Sequence, residues 1–183
     1  MINKSKHDGE IVDTYMSCGC RVSCGIKARS DVLASNERKL GAVVVLFDED
    51  GNILLQKRTG TRSFTGKWDF TAGGGAKSGE NSKDAVLREF KEETGLDYDL
   101  IIDEPFAVGR TADWLIVYYA QIVNRAKFAK CETMKSDEVS EFQWFSFLEY
   151  ERLRVTGKFR DDVCRSVHTA VVDIYSEIKG GMK

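Results

Sequence analysis

Three glutamates in one short stretch carry the strongest chemical signal in this chain. Glu89, Glu92 and Glu93 stand at i, i+3 and i+4, so on a helix turning roughly 100° per residue they share a face. Like charges placed together repel, and a hard divalent cation relieves that repulsion. Mg²⁺ in particular is shared between one or two carboxylates and the phosphates of a substrate. The spacing therefore suggests a metal-phosphate site; the plain alternative is a solvated acidic helix face.

The segment must be held in place by its surroundings. Asn81 has the chemistry of a helix cap with Asp84 three residues on, Ala85, Val86, Leu87 and Phe90 supply an apolar stripe, and Gly95 sits where a helix stops. Upstream, Trp68 to Thr71 reads as a short strand running into Gly73, Gly74 and Gly75, where backbone freedom predicts a loop.

Read together, Gly74-x5-Glu80-x7-Arg88-Glu89-Phe90-x-Glu92-Glu93-x-Gly95-Leu96 resembles the signature of the Nudix hydrolase family at every specified position, with Phe90 a mild variant at an aliphatic site. The resemblance covers about residues 39–155. It implies an α/β fold, an α/β/α sandwich around a central mixed β-sheet. It also implies hydrolysis of a diphosphate linkage in a nucleoside diphosphate joined to another group, by water attack on phosphorus with Mg²⁺, or Mn²⁺ in its place. By position, Glu89, Glu92 and Glu93 correspond to metal ligands, with Glu92 or Glu93 central. Arg88 corresponds to a partner orienting a glutamate, and Glu80 to a structural or secondary metal contact.

The resemblance also implies a further carboxylate from a loop before a late strand. In Asp137-Glu138-Val139-Ser140-Glu141, Glu138 is the first candidate for this ligand or for the general base, and Glu141 the second. Candidates for touching substrate are Gly74, Arg58 and Trp68, the last by stacking on a base, although a strand Trp is more often core. Lys57, Arg62 and Lys67 flank the same stretch. Ala72 stands where the family usually has Pro, a departure resembling the branch related to isopentenyl diphosphate isomerase. An isomerase of that kind is one rival reading, against which stand the intact signature and the lack of cysteine between residues 39 and 100. A non-catalytic nucleotide sensor is another.

The rest of the chain must build the scaffold. Its 183 residues are 42% hydrophobic and 31% charged, enough apolar content for a core and a length for one domain. With 27 basic and 29 acidic residues the net charge is −2, so no basic field draws it to a nucleic acid polymer or a membrane surface. The apolar runs are too short to span a bilayer, and residues 1–10 have no secretory apolar stretch, which predicts a cytoplasmic protein. Five cysteines, an odd number, favour free thiols; Cys18, Cys20 and Cys24, with only His7 nearby, fall short of a four-ligand zinc site.

Strands are expected at 41–47 and 53–58 as a hairpin, at 100–109, 112–123 and 142–145, with a capping box at Ser146 to Glu149 and a helix from about Val163 to the C-terminus. His168 on that helix reads as a surface or packing residue. Residues 1–38 form an N-terminal extension of uncertain structure, and residues 39–183 the catalytic domain. A small-molecule diphosphate is the expected substrate, and a homodimer the expected assembly by resemblance.

Overall fold

Side-chain alternation along one strand decides the layers. In β3 (Glu37–Phe47), Ala42, Val44 and Leu46 join one buried cluster while Val43, Val45 and Phe47 join another on the opposite face, as the period of two requires. In this computed structural model the described residues are 9–16, 21–60, 63–96, 99–102 and 104–181.

The elements follow in the order β1 (Ile11–Met16), β2 (Arg21–Ala28), β3, β4 (Ile53–Arg58), β5 (Trp68–Phe70), β6 (Ala72–Gly75), α1 (Ser82–Thr94), β7 (Ala107–Arg110), β8 (Trp114–Ile122), β9 (Val139–Phe145), α2 (Phe147–Val155) and α3 (Arg165–Gly180). Along one edge β3 pairs antiparallel with β1, β6 and β4 in turn. Along the other it pairs parallel with β8, from Lys39 opposite Trp114 to Phe47 opposite Ile122. Strands β5 and β9 add to β4, β2 to β1 and β7 to β8. The sheet is mixed, α1 covers the face of Ala42 and Leu54, and α2 and α3 cover the face of Val45 and Leu55.

The expected hairpin is present. Asp48 Oδ1 accepts from the backbone of Asp50 at 3.0 Å and Asn52 at 2.8 Å, and Gly51 takes the left-handed φ of 76° that the turn needs. Asn81 caps α1 by accepting from the Asp84 N–H at 3.0 Å, Gly95 ends it at φ 60°, and the capping box at Ser146 and Glu149 opens α2.

Four expectations change. The glycine tract is strand β6, because a strand needs only free backbone donors and acceptors, and β3 supplies their partners. Residues 99–102 and 104–106 carry no strand, and β7 begins only at Ala107. Leu87 is 39% exposed; the buried rows of α1 are Ala85, Glu89, Glu93 and Val86, Phe90, Thr94. Within residues 1–38, β1 and β2 extend the central sheet. Cys18, Cys20, His7 and Arg62 lie outside the described residues, and Cys24 is described as part of β2 only in its backbone.

Candidate active site

The site forms where α1 lies against β6. Glu89 and Glu93 are 4% and 5% exposed, and a buried carboxylate is costly unless it finds partners. Glu93 Oε2 accepts from the backbone N–H of Gly73 at 2.9 Å and from the Gln56 amide at 3.1 Å. Glu89 Oε1 accepts from Arg88 Nη1 at 2.9 Å. Glu92 stays half-exposed at the rim, 3.6 Å from Arg88 Nη1 and 3.9 Å from Lys77 Nζ. The shared helical face thus splits into two buried glutamates and one at the surface.

Arg88 ties the loop to the helix. Its Nε and Nη2 reach the two carboxylate oxygens of Glu80 at 2.7 and 2.9 Å, and Nη2 also donates to the Gly75 carbonyl at 2.9 Å. The hydrogen bond to Arg88 holds the Glu80 carboxyl below its usual pKa. Glu80 in turn raises the guanidinium pKa, aided by Glu89 and opposed by burial.

Strand β6 is a partition made of bare backbone. A Cβ on Gly74 would lie 2.3 to 2.7 Å from the carboxyl atoms of Glu89. A Cβ on Gly75 would point the other way, 3.0 Å from the Trp114 ring and 3.2 Å from Arg29 Cζ. On that second side opens a cleft of about 600 Å³, lined by Gly73 to Gly75 and by Arg29, Arg58, Phe64, Trp114 and Arg160 among others.

A buried aspartate organises the far wall of the cleft. Asp69 Oδ2 accepts from Arg58 Nη1 at 2.9 Å and Arg160 Nη1 at 2.8 Å, and Oδ1 accepts from the Phe70 N–H at 2.8 Å. Arg160 also forks onto Asp162. Burial opposes its charge, but Asp69 and Asp162 raise its pKa overall. Phe64 adopts a left-handed φ of 63°, uncommon for an aromatic residue, with Arg160 5.2 Å from its ring centre.

Of the residues singled out from sequence, Gly74 and Arg58 line the cleft. Trp68 does not: it is 8% exposed, stacked edge-on against Phe145 at 4.7 Å in the core under α2 and α3. Its strand register turns it away from the cleft, and Trp114 occupies the wall instead. Glu138 stands half-buried just before β9, its carbonyl accepting from the Thr59 N–H at 2.9 Å, and is not a cleft-lining residue. Glu141 pairs with Lys57 at 3.4 Å, and that ammonium sits 5.5 Å from the Trp68 ring centre, on the sheet face opposite α1. Arg29, Trp114, Asp69 and Arg160 were missed; an aromatic opening the apolar run of β8 was the one available signal for Trp114.

A hard cation suits the oxygens around α1. Besides the carboxylates, Gln56 Oε1 is buried beside Glu93 with no hydrogen-bond partner, so the available donors are all oxygen, the type that Mg²⁺ takes. Among the described residues no three His, Cys, Asp or Glu side chains converge on one point. That agrees with holding by one or two carboxylates together with substrate phosphates, the usual Mg²⁺ arrangement.

Residues 37–163 match the NUDIX domain family model. The chain belongs to the Nudix hydrolase family. An uncharacterized Nudix hydrolase of Listeria innocua serovar 6a is 31% identical over 137 residues, covering 72% of this Nudix chain and 77% of that protein. An isopentenyl-diphosphate Delta-isomerase of Photorhabdus laumondii is 32% identical over 112 residues, covering 60% and 63%. An RNA pyrophosphohydrolase of Haemophilus influenzae is 28% identical over 145 residues, covering 68% and 69%. A crystal structure from Deinococcus radiodurans superposes with a TM-score of 0.63 at 19% identity, covering 90% of this chain and 98% of that one, which shows the shared Nudix fold. Among the described residues no helix is long and apolar enough to cross a membrane.

Proposed function

We propose that this Nudix hydrolase cleaves a diphosphate linkage in a small nucleoside diphosphate derivative, dependent on Mg²⁺ or Mn²⁺. One observation carries the reading. Glu93 is held by the N–H of Gly73, and the tract that begins at Gly73 also lines the cleft. A phosphate chain lying on these glycines would meet carboxylates on one side while the rest of the molecule filled the cleft. A volume of about 600 Å³ suits a small molecule.

Glu89 and Glu93 would hold the metal, with Glu92 at the rim and Glu80 fixed to Arg88. When bound, a divalent cation neutralises charge on phosphoryl oxygens and lowers the pKa of the attacking water. Gln56 and Gly73 keep Glu93 oriented, Arg88 does the same for Glu89, and Arg58 takes a substrate oxygen in the cleft. Glu138 serves as the base in this reading, so Glu138→Gln is expected to lower kcat and remove the acid limb of the pH-rate profile. Cys131 and Cys164 are free thiols, in keeping with a cytoplasmic setting.

The test is ³¹P NMR of products after incubation with Mg²⁺ and a panel of nucleoside triphosphates, oxidised nucleotides, nucleotide sugars, ADP-ribose, dinucleotides, a 5′-triphosphorylated oligonucleotide and isopentenyl diphosphate. Cleavage that disappears in Glu93→Gln, with folding intact, supports the reading; unchanged turnover in that variant overturns it. The likeness to an isomerase favours a second reading, and the same spectra separate the two, since isomerisation leaves the diphosphate whole.

A further inference from the structure

The family match begins at residue 37, yet the strands before it reach the site at two points. Asp13 of β1 is 4% exposed. Its carboxylate accepts from Ser78 Oγ at 2.9 Å and from the Gly79 N–H at 3.0 Å, while the Ile11 carbonyl accepts from the Ser78 N–H at 2.9 Å. These bonds fasten the loop between β6 and α1 to the N-terminal hairpin.

The second point is Arg29, just past the end of β2. Its backbone is fixed at both ends: the N–H donates to the Glu10 carbonyl at 2.7 Å, and its carbonyl accepts from Lys39 Nζ at 2.5 Å. The guanidinium pairs with Glu10 at 2.5 Å and lies 5.4 Å from the Trp114 ring centre. It packs directly on Gly75, where a Cβ would come within 3.2 Å of it. Gly75 is one residue from Gly74, which abuts Glu89 on the other side of the strand. A cation is thus placed in the cleft wall next to the strip where the diphosphate is proposed to lie.

We propose that Arg29 is a specificity-determining residue that binds substrate phosphate lying beyond the scissile linkage, so that the N-terminal hairpin is an integral part of the site. This rests on the diphosphohydrolase reading for its substrate and on the cleft geometry for its place. A guanidinium anchored on one side by a single carboxylate keeps further N–H donors for a phosphate. Substrates extended by another phosphate would gain from it; those extended by a neutral sugar would not.

Two measurements on the full-length protein test this, with circular dichroism confirming the fold of each variant. The first is calorimetric binding of inorganic tripolyphosphate to the wild type, Arg29→Ala, Arg29→Lys and Glu10→Gln. The proposal expects Kd to rise at least about tenfold in Arg29→Ala, less in Arg29→Lys, and to stay level or fall in Glu10→Gln, where Arg29 loses its competing carboxylate. If the Arg29–Glu10 pair were merely structural, Glu10→Gln would weaken binding as much as Arg29→Ala, and that result overturns the proposal. So does unchanged binding in Arg29→Ala.

The second is steady-state kinetics on a nucleoside triphosphate and a nucleotide sugar. Arg29→Ala should raise KM for the triphosphate about tenfold with kcat within about twofold, and leave the sugar nucleotide within about twofold; an equal effect on both overturns it. If no compound is cleaved while tripolyphosphate binding still depends on Arg29, the hydrolase reading fails and the Arg29 site stands.

Discussion

Arg88 meets Glu80 fork to fork, Nε to Oε1 at 2.7 Å and Nη2 to Oε2 at 2.9 Å. Glu80 Oε2 also accepts from the Lys77 N–H at 2.8 Å. Both oxygens of this carboxylate are engaged, which makes it a clamp between the glycine-rich loop and α1. Glu80→Gln is expected to lower unfolding free energy by about 1–2 kcal/mol while leaving the apparent Mg²⁺ affinity within about threefold. Urea unfolding and metal titration of turnover check the two parts, and a large loss of metal affinity would return Glu80 to the ligand set.

Two neighbouring glycines should fail in different ways. A Cβ on Gly73 would strike the Ala42 carbonyl at 2.7 Å and the Val43 Cα at 2.9 Å, backbone atoms that cannot step aside. Gly73→Ala is expected to cost roughly 1–3 kcal/mol of stability. Gly74→Ala instead displaces the Glu89 carboxylate, so kcat/KM should fall by more than about thirtyfold with a smaller loss of stability. Thermal melts beside kinetics on both variants test the contrast.

Gln56 is 2% exposed and its amide donates to Glu93. Gln56→Leu removes a donor from a buried carboxylate, which costs roughly 1–3 kcal/mol and frees Glu93 to shift. Turnover should drop about tenfold while KM stays within about threefold. A variant with unchanged kcat would show that Gly73 alone orients Glu93.

Acid should weaken the fold through His168. Its Nδ1 lies 2.5 Å from the Tyr150 hydroxyl. Burial first, and then the charge of Arg154, press its pKa down to about 4 from 6.5. An unfolded chain protonates this ring near pH 6.5 and the folded one only near pH 4, so the unfolded state binds the extra proton in between. Stability is full above about pH 6.5 and falls as the pH drops toward 4, by about 2–3 kcal/mol for this one group. Urea unfolding at pH 7.5 and 4.5 should show that loss in the wild type and a smaller one in His168→Phe.

Elements were legible where the signal is local. Asn81, Gly95 and Ser146 fix helix ends through hydrogen bonds within a few residues, and the β-branched run of β3 fills both faces of a covered strand. The candidate carboxylates were legible because helix periodicity alone puts Glu89 and Glu93 on one face. Strand β6 was not, since three glycines carry no propensity and pairing with β3 is what makes the strand. Nor was the choice between Trp68 and Trp114, which depends on register across the sheet. Arg29 and Arg160 are far apart in sequence and join one cleft only after the sheet is assembled.

The parallel pairing of β3 with β8 has a consequence for how the molecule comes into being. The edge of β3 from Lys39 to Phe47 finds its partner only when the chain has been made through Ile122. Until then an apolar strand with open backbone donors and acceptors leaves the ribosome before the segment that covers it. Closing so long a loop is slow because its entropy is lost before the contacts form. A product of premature termination before Trp114 would therefore carry the catalytic glutamates and an uncovered sticky edge together, and it should be found in the aggregated fraction rather than as a weak enzyme.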